Sequence, residues 1–243
     1  MYKIIKAQWY KTLRTPVSII LLVCPLLFSL LLLLYCKEST YAKGIELNVF
    51  FLLFTIVATF SLSFFIPMIY EPDREACSYA NELRIGRSRS NLFIGRFILI
   101  IILLAIIEIF AVIIFIMGGN LFLDIDFNSI QLVNYFFIFY LTSFPMIIIY
   151  QFMTLRFNYV GSILLGSFIS LSSILLGTTN LGELFWKWLP FVWGIKINSI
   201  YGNSISDVNI YFYLLLSLVF TAFLMIIFIF WYNRWSGQTQ LEE

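Results

Sequence analysis

Phe97 to Met117 reads FILIIILLAIIEIFAVIIFIM, an apolar run interrupted by a single ionisable side chain, Glu108. A hydrocarbon core about 30 Å thick is crossed by roughly 20 apolar residues in a helix, so this stretch has the length and character of a membrane span. Apolar residues do not alternate along it, which excludes a barrel strand, and an open chain in lipid must be helical because unpaired backbone amides there are costly. Working outward, intervals nearly free of ionisable groups predict spans over residues 17–36, 47–70, 94–117, 133–155, 158–178 and 210–233. The composition agrees: of 243 residues, 61% are hydrophobic and only 12% charged, where a soluble domain carries about 25% charged residues. So few charges cannot cover a soluble surface. Residues 1–243 read as one all-α integral membrane domain with six transmembrane helices.

The net charge of +2 is uninformative, so the positions of the charges carry the argument. Lys3, Lys6, Lys11 and Arg14 precede the first span; Arg74, Arg84, Arg87, Arg89 and Arg96 follow the second; Arg156 and Arg234 fall at the same predicted side. Lys37, Lys43, Lys187 and Lys196 fall opposite, and the loop holding Asp124 and Asp126 has no basic residue. By the positive-inside rule both termini are expected in the cytoplasm. Tryptophans fit this topology, with Trp9, Trp231 and Trp235 at the inner boundary and Trp186, Trp188 and Trp193 in the last external connection. The first span is too long for a signal-peptide core, and Tyr35-Cys36-Lys37 offers no small-x-small cleavage site. Residues 1–15 suit an interfacial helix with Ile4, Ile5, Trp9 and Leu13 toward lipid, or equally a plain basic topology anchor.

Histidine is absent, which removes the commonest general base and metal ligand and every Ser-His or Cys-His pair. Cys24, Cys36 and Cys77 match neither a disulfide framework nor a zinc site. The basic residues act as topology charges, and no nucleic-acid partner is expected. The chain shows no internal repeat and no matched pair of broken helices, which argues against an inverted-repeat transporter.

Residues 71–91 form the most charged connection, with Pro72 at a first helical position and Asp73 and Glu75 in a first turn where they complement the helix dipole. A short helix parallel to the membrane, ended by Gly86, is expected. Its charges suit docking on another cytoplasmic protein; the alternative is a solvated loop that only sets topology. Here DREACSYANEL (73–83), followed by RSRSNLFIGRFIL (87–99), resembles the loop between the second and third helices of type-2 ABC exporter permeases, in particular lantibiotic-immunity permeases. Asp73, Glu75, Ala76, Tyr79, Leu83, Arg89 and Arg96 occupy the places of that pattern, and Cys77 stands where glycine is usual. The resemblance extends over nearly the whole chain through the basic N-terminal helix, the six spans and the long aromatic connection before the last span.

The resemblance implies a type-2 ABC exporter permease fold with an N-terminal interfacial helix, a cytoplasmic coupling helix and an external re-entrant segment at 179–207. It implies that Glu71, Asp73, Arg74, Glu75, Tyr79, Glu82 and Arg84 couple the chain to an ABC ATPase dimer, and that Leu184 to Tyr201 shape an external gate. A second, related permease subunit, a lantibiotic peptide as cargo and the plasma membrane of a Gram-positive bacterium follow from the same resemblance. A type-2 exporter of another substrate is the nearest alternative. The chain has no phosphate-binding loop of its own; Gly161 to Gly166 lacks the lysine and lies within a span, so ATP and Mg belong to the partner ATPase and no cofactor is expected on this chain.

Inside the predicted membrane, Glu108 is costly unless neutralised or partnered, so it should face protein. It is read either as a polar contact for a cationic peptide or the second permease, or as a neutral carboxyl hydrogen-bonded between helices. Gln151, Asn134, Ser167, Ser170, Ser172 and Ser173 are candidate partners for it, with interhelical hydrogen bonds as their other role. Pro25, Pro67 and Pro145 are possible kinks. Trp186, Trp188 and Trp193 are either contacts for a lipid-embedded peptide or interfacial anchors. Two other classes compete: an intramembrane enzyme built on Glu71, Asp73 and Glu75, for which the usual acid–base pair is missing, and a non-catalytic peptide sensor.

Overall fold

The computed structural model describes residues 2–13, 15–75, 79, 88–123, 125, 127–203 and 209–235. Among these, all regular structure is helical: α1 (Tyr2–Leu13), α2 (Val17–Glu38), α3 (Glu46–Glu75), α4 (Arg89–Phe122), α5 (Ser129–Thr178), α6 (Pro190–Gly202) and α7 (Ile210–Arg234), with two 3-10 turns, Asn180–Gly182 and Trp186–Trp188. Five of the helices, α2, α3, α4, α5 and α7, are long and apolar enough to cross a membrane. The chain is an all-α, multi-pass membrane protein.

The helices overrun the predicted spans. No helix stop intervenes between Tyr70 and Glu75, so α3 continues through Pro72 to Glu75, where a separate helix opening at Pro72 was expected. Pro72 lacks the backbone donor that a helical residue there gives to the carbonyl four residues earlier, a loss confined to the end of the helix. Likewise α4 begins at Arg89 and ends at Phe122, beyond both limits of the predicted 94–117. Pro25, Pro67 and Pro145 all lie inside continuous helix.

The sharpest departure from regularity is at Asn158, not at a proline. In the 50-residue α5, Asn158 takes φ 57°, ψ −156°, a positive-φ conformation that residues with a side chain rarely adopt. Contacts with α3 give the consequence. Before the break, Gln151 Nε2 donates to the Tyr70 hydroxyl (3.0 Å); after it, Ser162 Oγ donates to the Ser63 carbonyl (2.8 Å). A Cβ on Gly166 would lie 2.2 Å from that of Ser63, so a glycine is required for this approach. Ser63 stands about two helical turns before Tyr70. The chain past Asn158 therefore runs back along α3, and α5 is a hairpin of two helical arms meeting beside the exposed Arg156.

Aromatic side chains of α3 form the centre of the bundle. Phe50 stacks on Phe115 of α4 (4.3 Å), Phe51 on Tyr135 (5.2 Å) and Phe54 edge-on to Phe139 (4.9 Å), the last two on the first arm of α5. Polar side chains tie neighbouring helices within this apolar frame: Ser29 Oγ donates to the Ala111 carbonyl (2.8 Å) and Ser217 Oγ to the Leu141 carbonyl (2.8 Å). Bonds of this kind contribute on the order of 0.6 kcal/mol each in a membrane bundle.

At the end remote from α1, the chain dips and returns. Ser173 Oγ donates to the Phe191 carbonyl (2.9 Å), and Gly194 packs against Thr55 and Thr142, placing the start of α6 well inside the bundle. From there α6 climbs to Tyr201, whose ring meets Tyr135 near the rim (4.8 Å). Val192, Trp193, Ile195, Ile197, Asn198 and Ile200 are buried on the way. By contrast α1 is less lipid-facing than expected. Ile4 is buried against Gly95 of α4, with Gln8 and Thr12 on the same buried side, whereas Lys3, Lys6 and Leu13 are exposed. The missing side chain at Gly95 lets α1 seat on α4.

Candidate functional site

The last turn of α3 carries Asp73, one helical step beyond the apolar run. Its carboxylate takes two cations from different elements. Lys11 Nζ of α1 reaches Oδ1 at 2.6 Å, and the Arg96 guanidinium of α4 pairs with Oδ2. Arg96 is 1% exposed and Asp73 8%, whereas Lys11 is 47% exposed. The Arg96 guanidinium also lies over the Tyr70 ring, 4.2 Å from its centroid, which offsets part of the cost of burying it. Through the Gln151–Tyr70 hydrogen bond the cluster reaches the first arm of α5, so one carboxylate joins α1, α3, α4 and α5.

Tyr79 closes the cluster from below. Its backbone N–H donates to the Asp73 carbonyl (3.0 Å), and it adopts φ 68°. The side chain is 1% exposed, edge-on to Tyr70 (6.5 Å) and Trp235 (5.5 Å). Burial pushes its phenol above the ordinary tyrosine value. Trp235 in turn stacks on Trp231 and Tyr232, and Arg89 donates to the carbonyl of Asn233 (3.2 Å), which draws the end of α7 into the same junction.

The residues expected to contact a cytoplasmic partner thus divide. Glu75 is exposed, and Glu71 and Arg74 are half-buried and paired with each other one turn apart. Asp73 and Tyr79 point inward and hold elements together, so they offer no direct docking surface. Glu82 and Arg84 lie outside the described residues. Lys11, Tyr70, Gln151 and Trp235 complete the junction, although sequence reading treats them as a topology charge, a span residue, an interhelical hydrogen-bonder and an interfacial anchor. A usable signal was Arg96 itself: flanked by Phe-Ile-Gly and Phe-Ile-Leu, it needs a carboxylate at the same depth, and Asp73 follows directly on the end of the preceding predicted span.

Glu108 is fully buried and faces the protein. Neither carboxyl oxygen has a hydrogen-bond partner among the described residues, and the polar groups expected to serve it are engaged elsewhere. Gln151 bonds Tyr70, Asn134 bonds the Tyr201 hydroxyl (2.8 Å), Ser173 bonds Phe191, and Ser167 and Ser170 bond carbonyls of their own helix. The tryptophans of the outer connection also separate. Trp186 and Trp193 are buried against Tyr213 of α7, and Trp193 Nε1 donates to the Lys187 carbonyl (3.2 Å), while Trp188 is 82% exposed.

Chemically, the Asp73 junction is a carboxylate already held by two cations beneath an aromatic lid. It binds the ends of several helices together. None of the known protein-family models, curated proteins or solved structures matches the chain, so a functional reading rests on its own residues.

Proposed function

We propose that this chain is the permease subunit of a type-2 ABC exporter that expels a membrane-active peptide, of the lantibiotic kind, from the plasma membrane of a Gram-positive bacterium. The observation that carries the reading is Asp73, which ties the root of the charged segment 71–91 to Lys11 on α1 and to buried Arg96 on α4. A coupling segment needs such a rigid root, because force applied to a loose loop would be lost before reaching the spans.

Two further features support it. The arms of α5 on either side of Asn158, about 40 Å and about 30 Å long at 1.5 Å per residue, are each long enough to cross a bilayer. Counted separately, they give six crossings with both termini on one side, and the basic residues around α1 make that side the cytoplasm. The dip of the chain into α6 fits an external re-entrant segment. In this reading Glu75, with the Glu71–Arg74 pair behind it, meets the nucleotide-binding subunit, which holds ATP and Mg. Its closure moves the ends of α3 and α4 together through Asp73, and a second permease completes the path. The peptide cargo comes from the loop resemblance alone.

The test is co-purification of the tagged full chain in mild detergent. An ABC ATPase and a second six-span permease should accompany the wild type. Glu75→Lys, which reverses an exposed charge, should release the ATPase, whereas Asp73→Asn should retain it and lose peptide-stimulated ATP hydrolysis. A chain that purifies alone, or a Glu75→Lys complex that stays intact, overturns the proposal.

A further inference from the structure

A polar cavity of about 360 Å³ opens between the starts of α3 and α5 and the end of α6, at the rim remote from α1. This is the size of a small-ligand site. Among the described residues its one carboxylate is Glu46, and no lysine or arginine lines it; Lys43, nearby in sequence, is exposed and outside the lining. Glu46 accepts a hydrogen bond from the Gly44 N–H (2.8 Å) and enters no ion pair among the described residues. Beside it, Asn48 Oδ1 is buried without a hydrogen-bond partner. A Cβ at Gly202 would lie 2.2 Å from Asn48 Nδ2, so only glycine at the end of α6 leaves room for this amide. Phe127, Tyr135 and Tyr201 supply aromatic walls, and Gln131 stands exposed at the mouth.

We infer that this cavity binds a primary ammonium group on a short alkyl stem, such as a lysine side chain of a peptide approaching from outside. A carboxylate lacking a counter-ion, an amide oxygen lacking a donor and aromatic faces together match an ammonium, which brings positive charge and three donors. The C-terminal carbonyl end of α6 adds negative potential. The N-terminus of α3 would favour an anion, but Glu46 occupies its first turn and repels one. The inference deepens the export reading and rests on it only for the side of the membrane from which the cavity is reached.

The experiment places a cysteine at the mouth, Gln131→Cys, in the full chain and compares its rates with cationic trimethylammonioethyl and anionic sulfonatoethyl methanethiosulfonate, taken above the rate of the parent chain. Relative to Leu121→Cys, exposed at the same end, the cation should be favoured roughly five- to tenfold, as expected for one nearby carboxylate in a partly screened site. Glu46→Gln should abolish that preference. Millimolar n-butylammonium should slow the labelling where n-butanol does not, and Asn48→Ala should weaken this protection. Equal rates for the two reagents, a preference unchanged by Glu46→Gln, or equal protection by butanol would each overturn the inference. Labelling of Gln131→Cys only from the cytoplasmic side, with the charge preference intact, would refute the topology and leave the ammonium site standing.

Discussion

Replacing Asp73 by asparagine removes the charge that compensates Arg96 and changes the shape of the side chain very little. Arg96 is 1% exposed, so its guanidinium would remain buried beside the Tyr70 ring and lose the charge of Asp73. Breaking a buried pair from one side costs about 3–5 kcal/mol, because the remaining charge is uncompensated. The other ion pair of Asp73 behaves differently: Lys11 is 47% exposed, and a solvent-screened pair contributes about 0–1 kcal/mol. Two cations on one carboxylate should therefore be strongly unequal. In an SDS titration of the purified chain in mixed micelles, followed by circular dichroism, Asp73→Asn should lose about 3–5 kcal/mol and Lys11→Met less than about 1. Arg96→Met combined with Asp73→Asn should recover most of the loss, since a neutral pair of similar volume leaves no buried charge. If Asp73→Asn and Lys11→Met cost the same, or if the double substitution costs the sum of the singles, the buried pair does not organise this end of the bundle.

Two further outcomes can be checked on the same preparation. Asn158 at φ 57° holds a backbone conformation that glycine adopts readily, so Asn158→Val should be about 1–2 kcal/mol less stable than Asn158→Gly and give less folded chain, because a β-branched residue resists positive φ; equal stability of the two variants would remove the turn from its position. Trp193→Ala should cost about 3–5 kcal/mol by emptying the space against Tyr213 and Phe220, whereas Trp188→Ala should leave unfolding unchanged within about 0.5 kcal/mol. A comparable loss at both positions would contradict the packing described for the outer connection.

Much of the architecture was legible because lipid imposes a simple rule on composition. Long intervals without charge become helices, and Glu108 faces inward because the alternative is a carboxylate in hydrocarbon. Helix ends were less legible. Hydropathy marks where apolar character stops, but α3 continues through Pro72 to Glu75, past the point where Asp73 meets its cations. The turn at Asn158 was visible only as the short polar interval around Arg156, since a backbone conformation leaves no trace in hydropathy. Asp73 and Tyr79 were read as part of a charged segment facing a partner, whereas both side chains are buried. Charge and proximity to a predicted loop suggest exposure, whereas Arg96, distant in sequence and close in space, draws Asp73 into the interior. The serines of α5 split between interhelical and local bonds according to which face they occupy, a detail that needs the crossing positions of α3 and α6.

The hairpin of α5 also bears on how the chain is made. Its most apolar window has a mean hydropathy of 1.9, the lowest of the five long helices, which otherwise range from 2.5 to 3.4. The second arm, with Ser162 directed at the Ser63 carbonyl and Gly166 against the Ser63 side chain, carries part of its fit to the membrane in a helix translated about a hundred residues earlier. When that arm leaves the ribosome, α3 is already available at the translocon to receive it. Synthesis from the N-terminus thus supplies the acceptor before the donor, and a transcript with α3 deleted should stall with the second arm on the wrong side of the bilayer.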